Sequence, residues 1–407
     1  QFRRLSVLIA VNCVDMIGFA IVLPLLPFYA LRFGASAQMV GALIASFSVA
    51  QLLAAPLWGR ISDRLGRRFV LLIGLSASAV AYVFFGFADS LLVLFLSRVI
   101  QGAGGGTTGV AHAYVADTIS PGDRARALGW LSAATSAGVA IGPVIGSLAA
   151  HLGPEAPGLV AAGLCVVNVF FAWRWLPESR ADHEGVPERK PIWHTGWQVV
   201  RHPRAPVSRL VWIYAVGMLA FTCMTSVLAL YLNAEFAITE ETIGYFFLYI
   251  GGLSFFMRSL VLGPVVDRIG ETWAVRAGAF LLVVGLVAYA MAPTLWALLI
   301  VIPLVPIGTA LLFPSTTSLM SQVADSKVIG TLMGTAQSFA GISRVVAPLL
   351  ATRAFQDLGH GSPFYIAGGI VALASLLSFG IRHQPAIPTQ VLKAGGSGGQ
   401  EVEGSRV

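Results

Sequence analysis

The chain has 407 residues, of which 56% are hydrophobic and only 11% charged, and its mean hydropathy is +0.79. A soluble domain of this size needs far more charge to cover its surface, so a water-facing globular protein is excluded and the main solvent is lipid. The net charge of +7 invites a nucleic-acid partner, a reading that the placement of the charges rejects.

A hydrocarbon core of about 30 Å takes roughly 20 apolar residues rising 1.5 Å each. Such runs occur twelve times, over about 6–31, 39–61, 69–88, 91–116, 127–150, 158–176, 208–232, 242–265, 273–292, 295–321, 329–354 and 363–381. With no water at that depth to satisfy backbone groups, each run is predicted to be a helix, which makes an all-α integral membrane protein. With the amino terminus in the cytoplasm, only Arg32 and Arg353 of the 26 Lys and Arg fall in outer loops. Arg98, Arg258 and Arg344 fall within spans, and the rest lie on the inner side. That positive-inside pattern predicts a multi-pass protein of the cell's inner (plasma) membrane with both termini cytoplasmic, and no nucleic-acid partner. Cys13, Cys165 and Cys223 all fall within spans and read as small apolar packers.

The longest polar interruption divides the chain into a six-span bundle over 1–176, a cytoplasmic linker over 177–206, a second six-span bundle over 207–383 and a flexible cytoplasmic tail over 384–407. Trp193, Trp197 and nearby basic residues place part of the linker on the inner membrane surface. The halves repeat one another. GRISDRLG at 59–66 follows span two and GPVVDRIG at 263–270 follows span eight; Asp117, Gly129 and Pro143 recur as Asp325, Gly334 and Pro348. Two pseudo-symmetric six-helix bundles are therefore expected, with a site between them near the midplane.

The loop GRISDRLGRR at 59–68 resembles the signature loop of major facilitator proteins in Gly59, Asp63, Arg64, Gly66, Arg67 and Arg68, and the resemblance runs over nearly the whole chain. Its glycines permit a tight turn. Its arginines can reach carboxylates at neighbouring inner helix ends, Asp117 first, and so latch an inner gate that releases when the halves rock. The second half supplies Asp267, Arg268 and Asp325 at the corresponding places.

Span four holds Arg98, whose depth is costly unless the charge is paired or hydrated, and Asp15 in span one is the obvious counter-charge. Low dielectric disfavours an ionised carboxylate and a neighbouring arginine favours it, so Asp15 is expected to exchange protons under the influence of Arg98. Arg98, Gln101, Gly102 and Gly104 resemble the family's fourth-helix motif. In span five, Gly138, Gly142 and Gly146 share one helix face on which another backbone can approach, with Pro143 kinking or stiffening the contact. This pattern resembles that of the drug:proton antiporter branch, with Ser147 where the motif usually carries another Gly. Residues 15–27, 113–130 and 177–179 are similar to the tetracycline-exporter group, which implies export of amphiphilic compounds in exchange for protons. The chain departs from that group at Ala81, Ser254, Arg258 and Leu282, where the group carries intramembrane acids or drug-contacting polar residues.

Arg258 in span eight and Arg344 in span eleven have no intramembrane acid in their own half. They are expected to face the cavity or a carboxylate, and they also suit a substrate with a negative group. Gln51, Gln101, Gln337, Tyr82, His112 and Tyr249 are further candidates for the cavity wall. The expected partners are a small-molecule substrate, protons and the lipid bilayer, with the chain a monomer that needs no cofactor or metal. Transport of an organic anion or lipid-like acid by symport, and a receptor without flux, remain open as alternatives. An enzyme is not expected, because no metal-ligand spacing, nucleophile elbow or phosphate loop occurs.

Overall fold

A computed structural model of the chain describes residues 2–120, 123–179, 197, 199–203, 205–323 and 329–376, which form helices and no strand. Span one runs over Phe2–Val22 and Leu26–Arg32, span two over Ala37–Leu65, three over Arg67–Gly86, four over Leu91–Gly105 and Thr108–Thr118, five over Arg124–Ala150 and six over Ala156–Trp175. In the second half, span seven is Pro206–Phe236, eight is Ile243–Phe256 continued through Leu262–Ile269, and nine is Glu271–Met291. Ten is Leu295–Val301 with Leu304–Val323, eleven Ile329–Leu358 and twelve Ser362–Ser375. Nine described helices are long and apolar enough to cross a membrane, a set that omits spans four, eleven and twelve. Span four is broken after Gly105, and span twelve is described over 14 residues. Most of the linker and all of the 384–407 tail lie outside the described residues.

The interruptions have local causes. Span one breaks around Pro24 and span ten before Leu304 at Pro303, where a missing N–H and ring sterics end a helix. Span four breaks in its glycine run, where helix propensity is lowest. The carbonyls freed there find donors on span two: Gln51 Nε2 gives to Gly105 O at 3.1 Å and Trp58 Nε1 to Ala103 O at 2.6 Å. Within a membrane, such a break survives only with replacements of this kind. Span eight carries a π-helical turn over Met257–Val261.

Within the first half, span one packs on five and six, three on four and six, and two on four; in the second, nine packs on ten and twelve, and seven on eleven and twelve. The halves meet chiefly through span two against eleven and five against eight. One apolar cluster runs through both halves, joining Ile21 and Leu43 to Ile243 and Ala347 and continuing through the second half to Leu210 and Leu319. A second, built from residues such as Val70, Tyr114, Leu131 and Leu176, belongs to the first half alone and lies toward the even-numbered connections. Large apolar side chains including Val167, Phe170, Phe280, Ile300 and Leu373 stand exposed on the outside, as contact with lipid requires.

Candidate functional site

Arg98 lies seven residues after the start of its helix at Leu91 and is 1% exposed. Its guanidinium sits 5.7 Å from the centroid of the Phe85 ring, and its Nε and Nη2 find no hydrogen-bond partner. No ion pair joins it to Asp15 among the described residues. Their shared neighbour is Tyr82 of span three: its hydroxyl accepts Gln101 Nε2 at 2.6 Å, and both charges fall within its electrostatic reach. Depth alone makes Asp15 and Arg98 direct partners, but the direction in which each side chain leaves its helix turns Arg98 toward span three. Gln101 is buried in this cluster, Gln51 serves the broken backbone of span four, and His112 is exposed toward the even-numbered connections.

The second half gathers a different set. Gln337 Nε2 donates to Tyr214 OH at 3.2 Å, and Ser343 Oγ donates to Ala215 O at 3.1 Å, so span eleven is stitched to span seven around Tyr214. Arg258, on the π turn, and Arg344, one residue beyond Ser343, both lie within electrostatic reach of that hydroxyl. Among the described residues neither arginine forms an ion pair or hydrogen bond. Tyr249 lies apart from this group, its hydroxyl donating to Leu299 O at 3.4 Å.

The signature loop turns at Gly66, whose φ of 97° suits glycine. Arg67, 8% exposed, meets Asp63 and Ser62 through Nη1 and Asp117 Oδ2 through Nε at 3.0 Å. Glu178, just past span six, accepts the backbone N–H of Arg67 at 2.8 Å and of Arg68 at 3.1 Å, placing a carboxylate on the N-terminus of span three. Arg68 also donates to Trp173 O. Gly59 and Arg64 complete the turn of helix before Gly66. In the second half Gly270 takes the same backbone shape, with φ 76°, but the residue after it is an acid. Glu271 accepts from Gln322 Nε2 at 3.0 Å and Ser318 Oγ at 3.3 Å, both on span ten. Asp267 and Arg268 are exposed and make no ion pair among the described residues, and Asp325 lies outside them. A depression of about 450 Å³ beside Arg268, Ile269, Trp273 and Ala277 lies at this edge, away from the charged clusters.

Polar contacts that cross between the halves gather at the odd-numbered connections. Arg32 pairs with Glu240, Gln38 N–H donates to Gln356 Oε1 at 3.4 Å, and His151 lies 3.8 Å from Glu241. Ser147 Oγ donates to Glu240 O at 2.7 Å and accepts the Gly244 N–H at 2.8 Å. Span five is clasped on both sides. A Cβ on Gly138, Gly142 or Gly146 would lie 2.6–2.7 Å from the carbonyl oxygens of Cys13, Ile17 or Ile21 on span one. On the opposite side, the carbonyl of Pro143 abuts Gly244 of span eight, and Ala140 abuts Gly251.

Sequence reasoning did not single out Glu178, Tyr214, Ser147 as a donor, or Glu271 as partner of span ten. Glu271 was findable, because it occupies the place of Arg67 when the two loops are aligned.

Two helical halves packed against one another, with Arg98 buried and with Arg258 and Arg344 deep in their spans, accessible but unpaired among the described residues, fit a multi-pass membrane transporter and not an enzyme. The family model of the Major Facilitator Superfamily matches residues 8–348 and 210–402, and the chain belongs to that family. It is 27% identical to the class B tetracycline resistance protein of Escherichia coli, over 85% of this chain and 86% of that protein. It is 27% identical to multidrug resistance protein 1 of Bacillus subtilis, over 92% and 95%. Among solved structures it is similar to the human organic anion transporter MFSD10, with a TM-score of 0.68, 24% identity and coverage of 92% and 99%.

Proposed function

We propose that the protein is a secondary active transporter that exports a small amphiphilic compound in exchange for protons, by alternating access between its halves in the cell's inner membrane. The observation that carries this reading is Arg98, a guanidinium 1% exposed with two nitrogens unpartnered. A cation at that depth persists only where its surroundings answer it. Asp15, the one acid in the chain predicted at mid-depth, shares Tyr82 with it. Each protonation or release at Asp15 changes the charge of this cluster by one unit, and so biases the arrangement of spans one, three and four. The positive-inside charge distribution supports the odd-numbered connections as the outer face, so the contacts gathered there hold the halves together on the outer side. The likeness to tetracycline and multidrug resistance proteins supports export.

The test is the full chain in proteoliposomes with an imposed pH gradient and the amphiphilic anion 8-anilinonaphthalene-1-sulfonate as the probe. The gradient should drive the probe against its own concentration difference, and Asp15→Asn should lose the driven component while keeping its thermal stability. Gradient-independent movement in the unaltered protein, or unchanged coupling in Asp15→Asn, would overturn the reading.

A further inference from the structure

We infer that Arg258, Arg344, Tyr214 and Gln337 form an anion subsite in the wall of the cavity, which takes the carboxylate or sulfonate of an amphiphile whose apolar body rests on neighbouring aromatic rings. The inference deepens the transport reading and rests on it for the existence of a cargo.

Three observations converge. First, both guanidinium groups lie deep in predicted spans, remain accessible, and make no ion pair or hydrogen bond among the described residues. Their half holds no acid at that depth, so an anion from outside the chain is the missing partner; two forked donors suit a two-oxygen group. Second, Arg258 sits on the π turn Met257–Val261. An i→i+5 turn inserts a residue into the helical register and re-aims its side chains, and such turns concentrate at functional sites. Third, the polar tip of Tyr214, already accepting from Gln337, borders an aromatic wall: its ring meets Phe313 edge-on at 5.4 Å, and Trp212 meets Phe339 edge-on at 5.4 Å. Charge and apolar surface thus stand side by side, as an amphiphilic anion needs.

The probe pair is 2-naphthoate and its neutral isostere 2-naphthamide, titrated onto the full chain in nanodiscs of zwitterionic lipid, without any gradient. Naphthoate should bind at least tenfold more tightly than the amide. Arg258→Gln and Arg344→Gln should each weaken naphthoate at least tenfold and leave the amide unchanged, which also shows that the variants are folded; Arg344→Lys should recover part of the loss. Equal binding of the two probes, no naphthoate binding, or parallel losses for both probes in the variants would overturn the subsite. Displacement of naphthoate by phosphatidylglycerol at bilayer levels would assign the arginines to a lipid headgroup, and overturn it too. Because no gradient is used, failure here leaves Asp15-dependent flux standing, and failure of that flux leaves anion binding measurable.

Discussion

Ser147 and Gly244 meet across the boundary between the two halves, the hydroxyl oxygen accepting the Gly244 N–H at 2.8 Å while its own hydrogen goes to the Glu240 carbonyl at 2.7 Å. Span five resembles an antiporter motif that usually carries another glycine at this place, and a glycine has no hydroxyl with which to form this clasp. Ser147→Ala leaves the buried Gly244 N–H without a partner, which costs about 1–3 kcal/mol. That corresponds to roughly a five- to 150-fold change in the ratio of closed to open forms. Spin labels on the exposed residues Leu152 and Thr239 should report a larger population of long distances in the variant. An unchanged distance distribution would mean that Ser147 is only packing.

The two signature loops predict unequal consequences for the same kind of substitution. Arg67 and Asp63 are nearly buried, with side-chain exposures of 10% and 7%, and Arg67 also holds Asp117. Removing one partner of a buried pair leaves uncompensated charge, at a cost of about 3–5 kcal/mol, so Arg67→Met should lower the thermal midpoint by several degrees. Arg268 is exposed, and Arg268→Met should stay within about 0.5 kcal/mol of the parent. Equal shifts from both would show that the repeat in sequence is also a repeat in load.

Glu178 is tested through the amides it accepts. Its carboxylate is bonded to the first two N–H groups of span three, where the helix dipole favours negative charge by about 0.3–1 kcal/mol. Glu178→Ala should accelerate hydrogen–deuterium exchange in a peptide covering residues 66–72 while peptides of span nine stay unaffected. Identical protection in both proteins would remove Glu178 from the network.

What could be read from the sequence was whatever depends on spacing along one helix or one turn. The loop at 59–68, the stripe of Gly138, Gly142 and Gly146, and the depth of Arg98 are of that kind, because rise and register follow from residue number. The direction in which a side chain leaves the bundle does not, which is why Tyr82 lies beside both Asp15 and Arg98 where depth alone predicts a direct pair. Contacts over long separations were hidden as well: Glu178 lies 111 residues from Arg67, and Gln337 lies 123 from Tyr214. The π turn at Met257–Val261 leaves no local signature, since an i→i+5 bond replaces an i→i+4 bond without any particular residue type.

Span five links the interface to the helix that carries Asp15, and one glycine isolates that link. Its glycine face lies against span one, which carries Asp15, while Ala140, Pro143 and Ser147 face span eight of the other half. A Cβ at Gly142 would lie 2.6 Å from both the Ile17 carbonyl oxygen and the Ala20 Cβ, atoms that cannot swing away as a side-chain tip would. Gly142→Ala should therefore push span one off span five, at about 1–3 kcal/mol of overpacking, and reduce pH-driven transport more than tenfold. A methyl group added at Gly163, on span six, would meet nothing within 4 Å, so Gly163→Ala gains helix propensity of up to about 1 kcal/mol and should transport normally. Thermal unfolding and proteoliposome flux measured on both variants decide the matter: if Gly142→Ala carries protons and cargo at the parental rate, span one does not depend on close seating against span five, and the route from interface to Asp15 must run elsewhere.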